Sequence, residues 1–348
     1  MSRTLAVRLD NAGDVLLAGP ALRALADGSE ELVVLAGPNG AGAARMLPGV
    51  DEVLAWACPW IDPRPAPVRP GDLDALVHTL AERRFSRALV FTSFHQSPLP
   101  TALVLRLAGI PWVGAISEDY PGSLLDLRHH VDDLLPEPER ALSLADAAGF
   151  PLPPGDDGAL RVRGPLPTVE VLPTTPYVVL HPGTSVPARA WPVERFAESC
   201  RLLTRSGYAV VVTGGPGERA LTSRVVAGTT ALDLGGRTTL AQLAGVLAHA
   251  EAVVVGNTGP AHLAAAVGTP VVSLFAPTVP ARRWAPYRVP MVLLGDQGAP
   301  CRNTRVTRCP YPGHPCLTSV GADQVLVAVE KLCGFPRAAD PAPVAQEV

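Results

Sequence analysis

The chain has 348 residues, which is too long for one ordinary hydrophobic core and suits two domains. Hydrophobic residues make up 47% of it and the formal net charge is −3; these values are typical of a soluble globular enzyme. No block of basic residues occurs, which excludes nucleic acid as the main partner. The N-terminal segment contains the charged residues Arg3, Arg8, Asp10 and Asp14. These charges leave no apolar run as long as that of a secretory signal peptide. We therefore expect a cytoplasmic protein. Peripheral association with the inner face of the plasma membrane is compatible with this expectation.

The first half of the chain alternates strand and helix patterns. We predict strands at 5–9, 32–35, 88–92 and 111–116, and helices at 14–26, 39–47, 72–84, 101–108 and 137–149. Prolines mark residues 59–70 as a surface loop. A second proline-rich stretch at 163–176 predicts the linker that ends an N-terminal domain of residues 1–162.

The second half repeats the alternation. We predict strands at 177–180, 209–213, 252–255 and 271–274, and helices at 193–206, 218–226, 240–250 and 260–267. Residues 252–281 carry no charge and are numerous enough to span a membrane. Residues typical of turns divide this stretch into a strand, a helix and a second strand, so we expect no transmembrane segment. A C-terminal domain of residues 177–319 precedes a helical segment, 320–335, that could pack back on the N-terminal domain, and a flexible tail, 336–348.

Strand–helix alternation of this kind predicts an α/β fold with two Rossmann-like domains, whose parallel sheets face a central cleft. Ligands bind such sheets beyond the carboxyl ends of the strands, so the turns that follow strands are the candidate sites.

The turn after the strand at 252–255 is the most informative. Asn257 or Thr258 can cap the following helix, and Gly259 lets a ligand approach the backbone closely. The free N–H groups of the helix start, with the helix dipole, form a site for a phosphate or diphosphate, and His262 lies on the same turn. The alternative is a buried capping turn with a satisfied core histidine.

The turn after the first strand contains Asn11, Gly13 and Asp14. Asp14 opens a helix, so it is either a helix-capping carboxylate or a general base aimed into the cleft. A sugar hydroxyl that attacks an anomeric carbon needs such a carboxylate to take its proton. Asn11 and Gly13 would then lie on the acceptor side.

The turn after the strand at 177–180 contains Gly183 and Thr184, which can donate hydrogen bonds to phosphate oxygens. Arg189 can pair with a diphosphate, or it is an exposed arginine in a loop that leads into a helix. Trp191, just before a proline, is predicted to be a packing residue.

Three further features have weaker signals. Glu218 follows a glycine-rich turn without a P-loop lysine, and it either binds a ribose or favours the helix start. Thr238 either caps a helix or contacts a base or sugar. Cys301, Cys309 and Cys316 are too widely spaced to predict a zinc site, so we expect no metal and no other cofactor.

Taken together, these motifs resemble the ADP-heptose:lipopolysaccharide heptosyltransferases, family 9 of the glycosyltransferases. The segments that carry the likeness are spread over most of the chain: 13–16, 20–23, 181–183, 189–192, 214–218 and 258–262. Two positions depart from the family pattern. Asn257 stands where many members have aspartate, and Thr304 stands where many have another cysteine.

The resemblance implies a GT-B fold in which the N-terminal domain holds the acceptor and the C-terminal domain holds the nucleotide-sugar. It implies an inverting, metal-independent transfer from an ADP-linked heptose or related sugar, as in lipopolysaccharide biosynthesis. By that likeness Asp14 is the base and Arg189 neutralises the leaving diphosphate. Phosphate, sugar and ribose contacts would come from Thr258, Gly259, His262 and Glu218.

The acceptor is expected to be a glycan, a lipid-linked or lipopolysaccharide core, or a natural product. Two alternatives to a transferase remain. One is a GT-B-like sugar-nucleotide epimerase, and the other is a non-catalytic protein that binds nucleotide-sugars.

Overall fold

The computed structural model describes residues 3–62, 65–132 and 134–333. Within them the chain forms two compact units. The first runs to Pro165 and also includes Ala265–Val267 and Arg282–Arg288. The second contains Leu166–Ala264, Gly268–Ala281 and the chain from Val289 onward. The predicted tail at 336–348 lies outside the described residues.

The first unit is built on a parallel six-stranded sheet. Its strands are β1 (Arg3–Arg8), β2 (Glu31–Ala36), β3 (Glu52–Ala55), β4 (Arg87–Val90), β5 (Val113–Ile116) and β6 (Leu127–His129). Its helices are α1 (Ala12–Leu17), α2 (Gly19–Asp27), α3 (Pro38–Ala44), α4 (Pro70–Arg83), α5 (Leu99–Leu107) and α6 (Glu137–Ala147). The strand order is β3-β2-β1-β4-β5-β6. Leu5, Ala6 and Val7 are fully buried, as expected for a strand that is covered on both faces.

The second unit repeats this architecture. Its strands are β7 (Tyr177–His181), β8 (Ala209–Gly214), β9 (Leu232–Gly235), β10 (Ala252–Gly256), β11 (Val271–Leu274) and β12 (Met291–Leu294). The helices that follow are α7 (Val193–Arg205), α8 (Arg219–Val226), α9 (Leu240–Ala248), α10 (Gly259–Ala266), α11 (Ala281–Trp284), α12 (Pro315–Thr318) and α13 (Ala322–Cys333). The end of α10 and all of α11 except Ala281 are grouped with the first unit. The order β12-β11-β10-β7-β8-β9 is that of the first sheet read backwards. The doubly wound α/β class predicted from the sequence is confirmed.

In both sheets the strand order reverses beside the first strand of the unit. This reversal lies between β1 and β4 in the first unit and between β7 and β10 in the second. Connections leave the sheet in opposite directions at such a point, and the crevice that opens beyond the carboxyl ends of the strands is where doubly wound sheets bind ligands. Asp14 follows β1, and Asn257 follows β10. The fold therefore puts Asp14 and Asn257 at the two crevices.

Several predicted elements differ from the structure. The helix expected at 14–26 is two helices, α1 and α2, which meet at Ala18. Gly19 and Pro20 explain the break, because proline lacks an N–H and its ring clashes with the preceding turn. The strands β3, β6, β9 and β12 were not predicted. The last helix, α13, belongs to the second unit, where it packs against α7.

None of the helices that the structure describes is both long enough and apolar enough to cross a membrane.

Candidate functional site

Asp14 lies in the first turn of α1, at the carboxyl end of β1. Its side chain is 23% exposed, and its Oδ1 accepts a hydrogen bond from Nη2 of Arg8 at 3.3 Å. Asn11 occupies the N-cap position of α1, is exposed and makes no side-chain capping bond, while Gly13 is buried. Asp14 is therefore an ion-paired carboxylate in the crevice rather than the residue that caps the helix.

Arg8 and three polar neighbours form a closed polar ring (Arg8, Asp10, Ser93 and Gln96) beneath Asp14. Nε of Arg8 lies 3.0 Å from Oδ2 of Asp10, and its Nη2 donates to Oγ of Ser93 at 3.1 Å. Nε2 of Gln96 donates to Oδ1 of Asp10 at 2.6 Å, and its Oε1 accepts the backbone N–H of Ser93 at 3.0 Å. Sequence reasoning missed this ring, because its members come from β1, the turn after β1 and the turn after β4.

Glu137, the first residue of α6, adds a third acidic group to this region. It is 3% exposed, and burial raises the pKa of its carboxyl group against the opposing effect of Arg8, Arg140 and Arg283. Arg140 donates from Nη1 to the carbonyl oxygen of Thr92 at 2.6 Å. The first crevice thus rests on a buried set of charges whose signs largely balance. No sequence signal marked Glu137 or Arg140.

In the second unit, His181 ends β7 and is buried. Its Nδ1 lies 2.9 Å from Oγ1 of Thr213 on β8. Burial lowers the pKa of His181 to about 4, with the nearby Glu218 carboxylate acting in the opposite direction, so the ring is neutral near pH 7. His181 fixes the start of the turn that contains Gly183 and Thr184.

Gly183 and Glu218 are brought together from different turns. A Cβ on Gly183 would overlap the Glu218 carboxylate, so a larger residue at this position requires the carboxylate to move. Oε2 of Glu218 also accepts the backbone N–H of Gly215 at 2.7 Å. This bond caps the 3₁₀ turn Pro216–Glu218 that leads into α8, so the structural role foreseen for Glu218 is present. Its second oxygen faces the turn after β7.

Arg189 ends a short 3₁₀ turn, Pro187–Arg189, which is held from both sides. The backbone N–H of Ala188 donates to the carbonyl oxygen of Thr307 at 3.0 Å, and Nε2 of His314 lies 3.1 Å from the carbonyl oxygen of Ala188. A Cβ on Gly256 would come within 3.3 Å of the Arg189 carbonyl oxygen. The turn therefore lies directly against the end of β10.

The start of α10 carries two buried polar side chains. Asn257 and His262 are each 4% exposed. Neither Nδ2 of Asn257 nor Nδ1 of His262 has a hydrogen-bond partner among the described residues. Burial, reinforced by the positive charge of Arg189, lowers the pKa of His262 to about 4. Buried polar groups are normally paired, so these two nitrogens are available to bind the polar groups of a ligand.

Other site residues have simpler surroundings. Thr258 and Gly259 are partly buried at the start of α10, and Thr184 is partly buried after β7.

The expectation that Thr238 caps α9 is wrong. Thr239 is the cap, and its Oγ1 accepts the backbone N–H of Gln242 at 3.2 Å, since that residue is one position closer to the helix. Thr238 remains a partly buried residue beside the cap.

Trp191 is a packing residue, as predicted. Its ring meets Phe196 edge-on at 4.9 Å, and Nε1 donates to the carbonyl oxygens of Leu317 and Val320.

Cys301, Cys309 and Cys316 are free thiols, and Cys301 and Cys316 are buried. Burial and the neighbouring Cys301 and Cys309 raise the pKa of Cys316 to about 11, so the thiol is protonated near pH 7. Across 3–62, 65–132 and 134–333, no group of three or more His, Cys, Asp or Glu residues is arranged to hold a metal ion.

A family model described as glycosyltransferase family 9 (heptosyltransferase) matches residues 74–314, more than half of the chain. The chain belongs to this family. The matched region of this family 9 member contains the whole second crevice, from His181 to His262.

Two curated relatives agree with the assignment to family 9. The chain is 35% identical over 170 residues to lipopolysaccharide heptosyltransferase 1 of Pseudomonas aeruginosa, a match that covers 48% of this chain and 46% of that protein. It is 28% identical over 239 residues to lipopolysaccharide heptosyltransferase 2 of Escherichia coli, covering 60% of this chain and 65% of that protein. The chain thus spans about half to two thirds of the length of these relatives.

A solved structure shows the same fold. The E. coli ADP-heptose LPS heptosyltransferase II matches with a TM-score of 0.74 at 22% identity, over 96% of this chain and 98% of that chain. The GT-B class that the resemblance implied is therefore confirmed for this family 9 member.

Proposed function

We propose that this family 9 member is an inverting glycosyltransferase that moves a heptose or related sugar from an ADP-linked donor to a hydroxyl group of an acceptor. The observation that carries the proposal is the start of α10, where Asn257 and His262 are buried without partners for Nδ2 and Nδ1 among the described residues. The two nitrogens lie where the strand order reverses, at a helix start whose N–H groups and dipole favour an anion.

The proposed donor end combines three sources of positive potential. Arg189 provides a guanidinium group, the helix start provides backbone N–H groups, and Gly183 with Thr184 provides further donors from the turn after β7. Departure of the sugar leaves negative charge on the diphosphate, and prearranged donors stabilise that charge as it develops. Charge neutralisation by these groups is the basis for proposing a reaction without a metal.

His262 fits this role in its neutral form. With a pKa near 4 it carries no charge near pH 7, so it can donate one hydrogen bond from whichever ring nitrogen bears the proton. The neutral ring adds a directed donor beside Arg189 without a second buried positive charge.

The sugar and nucleoside contacts follow from the surrounding turns. Thr258 and Gly259 would meet the phosphate and the sugar, and Asn257 would offer an amide where many family members have a carboxylate. Glu218 has one oxygen directed toward Gly183, where it could accept a ribose hydroxyl. Thr238, which does not cap α9, would contact the base or sugar.

We assign the general base to Asp14. An attacking hydroxyl group loses its proton as the new glycosidic bond forms, and a carboxylate within hydrogen-bond reach accepts it. The carboxylate side chain is partly exposed at the first crevice, with Asn11 and Gly13 on the same turn to meet the acceptor. Attack from the face opposite the diphosphate inverts the anomeric centre.

The acceptor is proposed to be a lipopolysaccharide core, another glycan or lipid-linked sugar, or a natural product, by analogy with the lipopolysaccharide heptosyltransferases that the chain resembles. The reaction would take place in the cytoplasm, where the protein could associate peripherally with the inner face of the membrane.

A thermal-shift panel tests the donor site. Selective binding to the native state raises the melting temperature, so ADP-heptose and ADP should stabilise the protein more than UDP- or GDP-sugars at equal concentration. Greater stabilisation by a UDP-sugar than by ADP-heptose would reject the donor assignment.

The two alternatives are separated by incubating donor with and without acceptor. An epimerase converts the nucleotide-sugar without acceptor, whereas a transferase releases ADP only when acceptor is added. A binding protein is stabilised by the donor and releases nothing in either case.

A further inference from the structure

Arg8, the last residue of β1, is a buried arginine surrounded by polar groups. It is 2% exposed, yet its guanidinium group faces two carboxylates and a hydroxyl group at once. Nη2 donates to Oδ1 of Asp14 at 3.3 Å and to Oγ of Ser93 at 3.1 Å, while Nε faces Oδ2 of Asp10 at 3.0 Å. The polar ring closes through Gln96, so Arg8 is held by groups that do not depend on Asp14.

We propose that Arg8 is a positioning residue for the base Asp14, and that Asp10 shares the charge of Arg8 so that Asp14 keeps its basicity; this inference rests on the proposed function. Arg8 touches neither donor nor acceptor in this scheme. It acts by fixing one oxygen of Asp14.

The first part of the proposal follows from geometry. With Oδ1 held by Arg8, rotation of the Asp14 carboxylate is restricted, so the orientation that it presents to the acceptor hydroxyl is fixed. Positioning of a catalytic group is worth orders of magnitude in rate when it keeps the reacting atoms near attack distance. The polar ring holds Arg8 from β1 and from the turn after β4, so the arginine cannot follow Asp14 if the carboxylate rotates.

The second part follows from electrostatics. A guanidinium group a few ångströms away stabilises the charged carboxylate and so weakens it as a base. Asp10, which faces the same guanidinium group, offsets part of that stabilisation. The Arg8–Asp10 contact is an ion pair rather than an aligned hydrogen bond, because Nε lies 3.0 Å from Oδ2 of Asp10 but makes no hydrogen bond among the described residues. Its effect on Asp14 is therefore mainly one of charge.

The charges on the neighbouring elements keep Arg8 ionised. Burial would lower the pKa of Arg8, but Asp10, Asp14 and Glu137 outweigh burial and raise it. On α6, Glu137 is accompanied by Arg140, and Arg283 also faces Glu137. Of the other helices packed on α1, α3 carries no charge, and Arg23 on α2 is paired with Asp156.

The test is the pH profile of kcat/KM, whose acidic limb reports protonation of the base. Asp10→Asn removes a negative charge near Asp14 and should move the acidic limb down by roughly one pH unit. Arg8→Gln removes the positive charge and should move the limb up by roughly one pH unit, with kcat reduced about tenfold to a hundredfold and KM nearly unchanged. Shifts of both variants in the same direction, or no shift, would overturn the proposal.

Arg8→Lys keeps the charge but loses the planar fork of donors. The acidic limb of the Arg8→Lys profile should stay near that of the wild type, because the positive charge is kept. Its kcat should fall, because the planar set of donors that holds Asp14 is lost. Arg23→Lys is the matched control, since Arg23 is another buried arginine of the same unit, hydrogen-bonded to Asp156 through Nε and Nη2. It should lower stability and leave the acidic limb unmoved.

A measurement without turnover separates this inference from the proposed function. In protein labelled with carboxyl-¹³C aspartate, the Asp14 signal is assigned by its loss in Asp14→Asn. Its titration midpoint should fall in Asp10→Asn and rise in Arg8→Gln even without donor or acceptor. If both shifts occur while Asp14→Asn still transfers sugar, the charge sharing is right and the base is another residue. If neither shift occurs, the proposal for Arg8 and Asp10 fails whatever the activity.

Discussion

Single residues at the second crevice show how closely two turns approach each other. Gly183 was identified from the sequence for the hydrogen bonds it could donate, but its position depends equally on size. The Glu218 carboxylate fills the space that a Cβ on residue 183 would occupy. Because the carboxylate is itself tied to the N–H of Gly215, it cannot swing aside without losing that bond.

Gly183→Ala should therefore destabilise the protein by about 1–3 kcal/mol through overpacking. The same substitution in a Glu218→Ala background should cost clearly less, because the obstructing carboxylate is gone. Urea unfolding of the wild type, both single variants and the double variant measures this coupling. Additive effects of the two substitutions would show that the contact does not limit residue 183.

The residues found only in the structure share one physical reason for being missed. Arg8 and Asp10 looked like charges that interrupt an N-terminal apolar stretch, and Ser93 and Gln96 lie far away in sequence. Only the parallel pairing of β1 with β4 brings these residues together. Asp14, by contrast, could be picked out because it directly follows a strand and begins a helical pattern.

At the scale of elements, the strands that sequence patterns failed to predict are β3, β6, β9 and β12, which are the four edge strands of the two sheets. Central strands such as β10 are buried throughout and appear as continuous apolar runs. The edge strands are only three or four residues long and, apart from the end of β9, are partly buried or exposed. Partial burial leaves β3, β6 and β9 with mixed polar and apolar residues, whereas β12 is as apolar as the predicted strand β11 and was overlooked.

Helix boundaries depend on single capping residues, and α9 offers a direct test. Thr239→Ala removes the side-chain oxygen that accepts the N–H of Gln242 and should cost about 1 kcal/mol of unfolding free energy. Thr238→Ala is the matched control and should change stability by only a few tenths of a kcal/mol, since this residue is not the cap. Thermal and urea unfolding compare the two. Equal losses, or a larger loss at 238, would mean that the helix begins elsewhere.

At the scale of the whole molecule, the two units share one strand order, and Asp14 and Asn257 each follow a strand at which that order reverses. Alternation of strands and helices was enough to predict the fold class and the carboxyl-end location of the candidate site. The strand order itself was not predicted from this sequence, because it is determined by which helices pack on which face. Recognition of the motifs as a set, rather than any one motif, gave the family.

Acid stability of the molecule should depend in part on Asp156, which follows α6 and ties that part of the chain to α2. Its hydrogen bonds from Arg23 lower its pKa from 3.8 to about 2. The pair therefore stabilises the folded state fully above about pH 4, and this contribution is lost as pH falls toward 2.

The expected loss is about 2 kcal/mol between pH 4 and 2. Urea unfolding across that range measures it, and Asp156→Asn should show a flatter dependence on pH than the wild type. Parallel curves for the two proteins would indicate that other carboxyl groups dominate acid unfolding.

The most direct test of the central claim is acceptor-dependent release of ADP from ADP-heptose by the wild type and by Asp14→Asn, with heptose-deficient lipopolysaccharide core among the acceptors. We expect the wild type to release ADP and to attach the sugar to the acceptor. Asp14→Asn should lose about a thousandfold in kcat, with its dissociation constant for ADP changed no more than about threefold. Transfer that survives in Asp14→Asn at the wild-type rate, or ADP-heptose that remains intact with every acceptor, would contradict the account.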